Sequence, residues 1–174
     1  AGFGVMEEIV PPVDVATLIG EAERLFSENG PRRSAGIRRV LTRSAACAGL
    51  AASDAIRSLV TPILGPGACV ARSILFDKTP DSNWDVAWHQ DTTIAVAERA
   101  EVPGFGPWSV KAGVPHVRPP AGVLAGMLTL RVHLDPCGED DGPLLVVPGS
   151  HLDGIIAGPV DVVALERSMV ACLV

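Results

Sequence analysis

The spacing of hydrophobic residues changes along the chain, from a helical repeat near the start to strand-like alternation later. Apolar residues recur every three or four positions from Val15 to Phe26, behind a candidate N-cap at Asp14. Asn29-Gly30-Pro31 predicts the end of this helix. A second helical region is predicted over about Ser44 to Leu64 in two pieces, with Ser53 as a candidate cap of the later one.

Strand signals dominate the rest of the chain. Residues 127–135 alternate cleanly, with Arg131 and His133 on one face and Leu and Val on the other. Residues 101–120 contain five prolines and three glycines, which predicts a long ordered loop of the kind that binds ligands. Other short elements are an acidic turn at 137–142, a helix and strand over 162–174, and strands at 68–76, 94–96 and 144–147.

This order of elements predicts the fold class. Short strands between Gly/Pro loops, with helices at one end, favour a β-sandwich or barrel backed by helices. A dinucleotide-binding α/β fold is disfavoured, because the chain has no GxGxxG and no regular strand–helix alternation. At 174 residues we expect a single domain, with residues 1–66 mainly helical and residues 67–174 forming the β core.

Composition and charge limit the classes of partner and the cellular compartment that we expect for this chain. Hydrophobic residues make up 48% and charged residues 20%, as in ordinary globular domains. The net charge of -6 disfavours nucleic acid, and no apolar stretch reaches the roughly 18 residues of a membrane span. The four cysteines form no CxxC pair, and no signal peptide is visible, so we expect reduced thiols in a cytoplasmic protein.

The strongest chemical signal is His89-Gln90-Asp91. On an extended segment, side chains two residues apart point the same way, so His89 and Asp91 can reach one metal ion. An imidazole and a carboxylate are two parts of the 2-His-1-carboxylate triad of non-haem Fe(II) oxygenases. The tripeptide alone is weak, because a His and an Asp in a surface turn give the same pattern.

The surrounding sequence adds specificity to this tripeptide. The chain carries, in order, FDKTPDSNWDVAWHQDTTIAV, VPGFGPWSVKAGVPHVRPP, MLTLRVHLD and GPLLVVPGSH. From about Leu64 to His151 it closely resembles the phytanoyl-CoA dioxygenase family, whose members are Fe(II)/2-oxoglutarate-dependent oxygenases. The resemblance implies a mainly β fold with N-terminal helices, a double-stranded β-helix of the jelly-roll or cupin-like type, incomplete at the C-terminus.

The resemblance also implies roles for individual residues. His89 and Asp91 match the first two iron ligands, and both are therefore expected to be catalytic. Gln90 matches a residue close to the 2-oxoglutarate, and Ile74 lies on a strand that borders the same pocket. Arg131 is either an anion contact inside the barrel or part of a salt bridge at the strand edge.

The third iron ligand departs from the family pattern. By resemblance, the third histidine and an arginine for 2-oxoglutarate are expected beyond Val174. His151 is the fallback ligand within the chain, although the matching family residue lies in a turn outside the metal's ligands. His133 is expected to be a hydrogen-bonded core residue, and His116 is expected to be structural or near the substrate.

The functional expectation is a dioxygenase that uses Fe(II), 2-oxoglutarate and O₂ to hydroxylate a small organic molecule or an acyl thioester. The alternative is a non-catalytic jelly-roll module that binds a small molecule and has lost the third iron ligand. A structural domain with an accidental HxD is a third reading. Unpaired strand edges would favour an oligomer.

Overall fold

Helices predominate in the first part of the chain, and short antiparallel strands predominate in the rest, in the computed structural model of this protein. The structure describes residues 1–28, 36–79, 86–156 and 158–174. These divide into two units, one of residues 8–86 and one of residues 1–7 with 87–174. The expectation of a single domain stays a prediction.

Helix α1 opens the first unit and spans Pro12–Glu28. Pro12 suits the first turn, where a missing N–H leaves no hydrogen bond unmade. The N-cap predicted at Asp14 is wrong, because Asp14 lies inside the first turn, where its negative charge favours the helix dipole. The predicted end at 29–31 lies outside the described residues.

A serine caps the start of each of the next two helices. Helix α2 spans Ala45–Ala52, and α3 spans Asp54–Leu64. The Ser44 hydroxyl accepts a hydrogen bond from the Cys47 N–H at 3.2 Å, and the Ser53 hydroxyl accepts one from Ile56 at 3.4 Å. These caps confirm the prediction of a helical region in two pieces.

A two-stranded sheet completes this unit. Strand β1, Gly36–Arg38, pairs antiparallel with β2, Ile74–Phe76, so the strand predicted at 68–76 is confirmed only over its last three residues. A 3₁₀ helix at Val40–Thr42 follows β1. The buried core of the unit joins α1 to this sheet and consists of Leu25, Phe26, Ile37 and Val40.

A three-stranded sheet forms the centre of the second unit. Strand β3 is Ile94–Ala95, β4 is Trp108–Lys111 and β5 is Val114–Val117, in the spatial order β3-β5-β4 with all pairs antiparallel. The strand predicted at 94–96 is therefore confirmed, but the loop predicted over 101–120 is wrong between 108 and 117. This segment contains a hairpin, although its prolines predict a loop.

The hairpin turn explains this difference. Ala112 and Gly113 join β4 to β5 with φ values of 51° and 77°. Positive φ at both central residues is what a two-residue type I′ turn requires, and its twist matches that of the flanking strands. Pro115 has no N–H to donate, but its carbonyl accepts a hydrogen bond from Val96 at 3.0 Å.

The last elements form a second strand pair. Strand β6, Leu144–Val146, pairs antiparallel with β7, Val170–Cys172, which follows helix α5, Val162–Ser168. The predictions at 144–147 and 162–174 are confirmed. A short helix α4 at Ala121–Leu124 and 3₁₀ helices at Glu139–Asp141, in the predicted acidic turn, and Ser150–Leu152 complete the unit.

The strand predicted at 127–135 is not formed. This segment has no hydrogen-bonded strand partner within the described residues, and Leu128 and Leu130 are each 37% exposed. Alternation indicates which face a segment could bury, but a strand also needs a neighbour with free N–H and C=O groups. The described strands form three separate small sheets and no closed barrel.

No single helix among the described residues is long and apolar enough to cross a bilayer. Helices α2 and α3, which meet at an angle of 49°, pass that test together, by length and composition alone.

We expect Ala112→Asn to raise the free energy of unfolding by about 0.5–1 kcal/mol. Alanine pays an energetic cost in the left-handed region, whereas Asn-Gly is a preferred pair for this turn. Urea unfolding of the variant measures the change. Ala125→Asn is the control, because Ala125 has a φ of -62° and gains no relief. An unchanged or lower midpoint for Ala112→Asn would contradict the turn assignment.

Candidate metal centre

His89, Gln90 and Asp91 lie together on an exposed segment just before β3. The segment itself is not part of a strand, but β3 continues from it and pairs with the central strand β5. The sheet therefore fixes one end of the tripeptide and leaves its polar side chains at the surface of the unit.

The ring of His89 is held by its own backbone. Its Nδ1 lies 2.8 Å from the Ala87 carbonyl oxygen. A carbonyl only accepts hydrogen bonds, so Nδ1 donates in this contact, and in the neutral ring Nε2 then carries the lone pair. Histidines that bind metals usually donate their other N–H in this way, because the bond fixes the tautomer and the ring orientation.

The carboxylate of Asp91 is exposed, and within the described part of the chain it makes no hydrogen bond or ion pair. Both of its oxygens are therefore available to a ligand. An imidazole nitrogen and a carboxylate oxygen form a donor pair that suits non-haem Fe(II).

Gln90 makes contacts that the sequence does not predict. Its Nε2 donates to the Gly154 carbonyl and its Oε1 accepts from the Ile156 N–H, both at 2.8 Å. One amide hydrogen and one lone pair of the side chain are thereby engaged. Its role beside 2-oxoglutarate stays a prediction, and the structure shows its side chain bonded to the backbone at 154 and 156.

His151 does not complete a metal site here. Across residues 1–28, 36–79, 86–156 and 158–174, no group of three or more His, Cys, Asp or Glu side chains is placed to hold a metal ion. The ring of His151 packs against Gly2, where an added Cβ would overlap it. The fallback role of His151 as third ligand stays a prediction.

Arg131 and His133 lie close enough to influence each other. Burial of the half-buried His133 lowers its pKa below the ordinary 6.5, and the positive charge of Arg131 lowers this pKa further. Arg131 is exposed, and no ion pair joins it to any other described residue. Both interpretations of Arg131, as an anion contact and as part of a salt bridge, stay predictions, and the described residues include no ion-pair partner for it.

Ile74 belongs to the first unit, whereas the other predicted site residues belong to the second. It lies in β2, half-buried and opposite Arg38. Its place beside a pocket stays a prediction.

His116 is a buried polar residue whose setting the sequence reading missed. It lies in β5 with Ala95 and Ser109 as cross-strand neighbours, and it is 3% exposed. Its Nδ1 lies 3.0 Å from the Val114 carbonyl, and its buried Nε2 has no hydrogen-bond partner among the described residues. The alternation of residues around Ala112-Gly113 was the signal that could have placed it in a sheet.

The sequence also matches the model of a known protein family. The family model for phytanoyl-CoA dioxygenase matches residues 1–163 of the 174. The chain belongs to the phytanoyl-CoA dioxygenase family. This confirms the resemblance carried by the HQD and PGSH segments. No curated protein and no solved structure gave a significant match.

Membership of the phytanoyl-CoA dioxygenase family implies a jelly-roll fold of the cupin type and, in general, an oxygenase that depends on Fe(II) and 2-oxoglutarate. It also implies a small-molecule substrate and O₂. His89 and Asp91 fit two positions of an iron site by donor type and by the tether on Nδ1. The described arrangement does not supply the third donor.

We expect Arg131→Gln to raise the pKa of His133, because the substitution removes a nearby positive charge, while burial keeps the value below 6.5. NMR titration of the His133 ring protons measures the shift, and Lys111→Gln is a control that removes a different exposed cation. An unchanged pKa in Arg131→Gln would contradict the contact.

We also expect His133 to make stability depend on pH. The unfolded chain binds this proton more readily than the folded chain, so the free energy of unfolding falls as the pH drops below about 6.5. Urea unfolding at several pH values measures the slope, and His133→Gln should flatten it. An equal slope in that variant would contradict the assignment.

Proposed function

We propose that this chain is a non-haem Fe(II)/2-oxoglutarate-dependent dioxygenase that hydroxylates a small organic molecule or an acyl thioester. The observation that carries the proposal is an exposed Asp91 two residues after His89, whose Nδ1 is tied to a backbone carbonyl at 2.8 Å. The family match over residues 1–163 supports the same chemistry.

Each residue of the pair has a defined task in this proposal. His89 offers Nε2 to the iron, and the Ala87 carbonyl keeps the ring from rotating away. Asp91 supplies an anionic oxygen and offsets part of the metal's charge. The iron, with 2-oxoglutarate as co-substrate, supplies the activation of O₂ for attack on a C–H bond.

Arg131 is the cation that we assign to an anionic group. Its guanidinium is exposed and has no ion-pair partner among the described residues. A planar guanidinium binds a carboxylate through two parallel hydrogen bonds, so Arg131 would contact the co-substrate in addition to the arginine that the resemblance implies for 2-oxoglutarate. In this role Arg131 orients the co-substrate and takes no part in the chemistry.

A non-catalytic binding module is the second candidate. The observation that favours it is that no third His, Cys, Asp or Glu joins His89 and Asp91 within the part of the chain that the structure describes. Such a module would bind a small organic molecule without holding iron. Metal affinity therefore separates the two functions.

We expect His89→Ala and Asp91→Ala each to lower Fe(II) affinity at least about 100-fold, because each removes a direct ligand. Anaerobic calorimetric titration with Fe(II) measures the affinity. Asp135→Ala is the matched control, because it removes an exposed carboxylate that lies outside the tripeptide. Equal affinity in Asp91→Ala and the unmodified chain would reject the ligand assignment.

The same titration decides the role of His151. If His151 is the third ligand, His151→Ala weakens Fe(II) binding as strongly as His89→Ala does. We expect a much smaller change, because the ring of His151 packs on Gly2 and belongs to no three-donor group among the described residues.

A further inference from the structure

One side chain connects the two sequence motifs on which the family resemblance depends. Gln90 lies inside the HQD tripeptide, and its amide bonds to Gly154 and Ile156, which lie 64 and 66 residues further along the chain. These partners come just after the 3₁₀ helix Ser150–Leu152, which contains the end of the PGSH motif. Gln90 is the chain's only glutamine.

The Gln90 side chain and the loop each donate one hydrogen bond to the other, as two paired backbone segments do. The Gln90 side chain donates to a carbonyl and accepts from an N–H, each at 2.8 Å. Two such bonds fix the orientation of the loop as well as its distance, because the amide is planar. Gln90 is exposed, so burial alone does not impose the contact.

The partner loop is shaped to receive this amide. Gly154 has a φ of +68°, a conformation that side chains of L residues rarely adopt. The loop backbone between 153 and 156 depends on this conformation to present a carbonyl and an N–H to the same side chain. A residue other than glycine at 154 would strain this arrangement.

We propose that Gln90 is a positioning residue that holds loop 154–156 against the HQD segment and thereby sets the geometry of His89 and Asp91. This inference rests on the proposed function, because it assumes that these two residues bind a metal. Gln90 shares a peptide bond with each of them. The segment is not in a strand, so the anchor at Gln90 replaces the ladder hydrogen bonds that would otherwise hold it.

The test uses the full chain and Co(II) as the probe, because Co(II) reports its coordination through its visible spectrum. Gln90→Met keeps the length of the side chain and removes both hydrogen bonds. Gly154→Ala disturbs the same contact through the loop backbone, because alanine is strained at the positive φ of Gly154. Gly142→Ala is the matched control, because Gly142 has a φ of +66°, and an added Cβ meets nothing at either position.

We expect two changes in Gln90→Met and Gly154→Ala that are absent from Gly142→Ala. Amide hydrogen exchange at Ile156 becomes faster without metal, because its acceptor is lost or displaced. Co(II) affinity falls about 10- to 100-fold, as it does when the partners of metal ligands are removed. The Co(II) spectrum also changes, which a loss of stability alone would not produce.

Three results would overturn the inference in different ways. Unchanged exchange at Ile156 in Gln90→Met means that the contact does not hold the loop. Faster exchange with unchanged Co(II) affinity means that Gln90 holds the loop without positioning the ligands, and the proposed function survives. Failure of the unmodified chain to bind Co(II) or Fe(II) removes the proposed function and the positioning role together.

Discussion

Two hydrogen bonds from the Gln90 side chain set the constraint on which the candidate site depends. The HQD segment lies outside any strand, and β3 holds only its C-terminal end. The amide of Gln90 supplies the second attachment, to Gly154 and Ile156. Between these attachments His89 and Asp91 are presented at the surface, and the His89 ring is fixed by its own chain through Ala87.

This arrangement gives the family chemistry a physical basis in the residues of this chain. In the neutral ring, the tether on Nδ1 leaves Nε2 free to bind a metal. The carboxylate of Asp91, which has no hydrogen-bond or ion-pair partner among the described residues, supplies the anionic donor. Arg131 adds a cation without an ion-pair partner in the described residues, and it also lowers the pKa of His133. No third donor is placed to join His89 and Asp91 among the described residues.

The sequence predicts elements that depend on local signals. Ser44 and Ser53 cap the helices as expected, because an N-cap acts on N–H groups two or three residues away. The sequence does not predict elements that depend on a partner distant along the chain. The alternation at 127–135 does not form a strand, and the contact of Gln90 with residues 64 and 66 positions away leaves no local pattern. The prolines of 101–120 predict a loop, whereas the Ala112-Gly113 turn joins a hairpin over 108–117 in which His116 is buried.

We propose that His89 and Asp91 hold iron for use with 2-oxoglutarate. The anaerobic visible spectrum of the chain, recorded after addition of Fe(II) and then 2-oxoglutarate, tests this assignment. We expect a metal-to-ligand charge-transfer band that appears only when both are present, and an intact mass of the same sample identifies the chain that produces it. A folded chain that shows no such band would rule out this iron site and favour a binding module without iron.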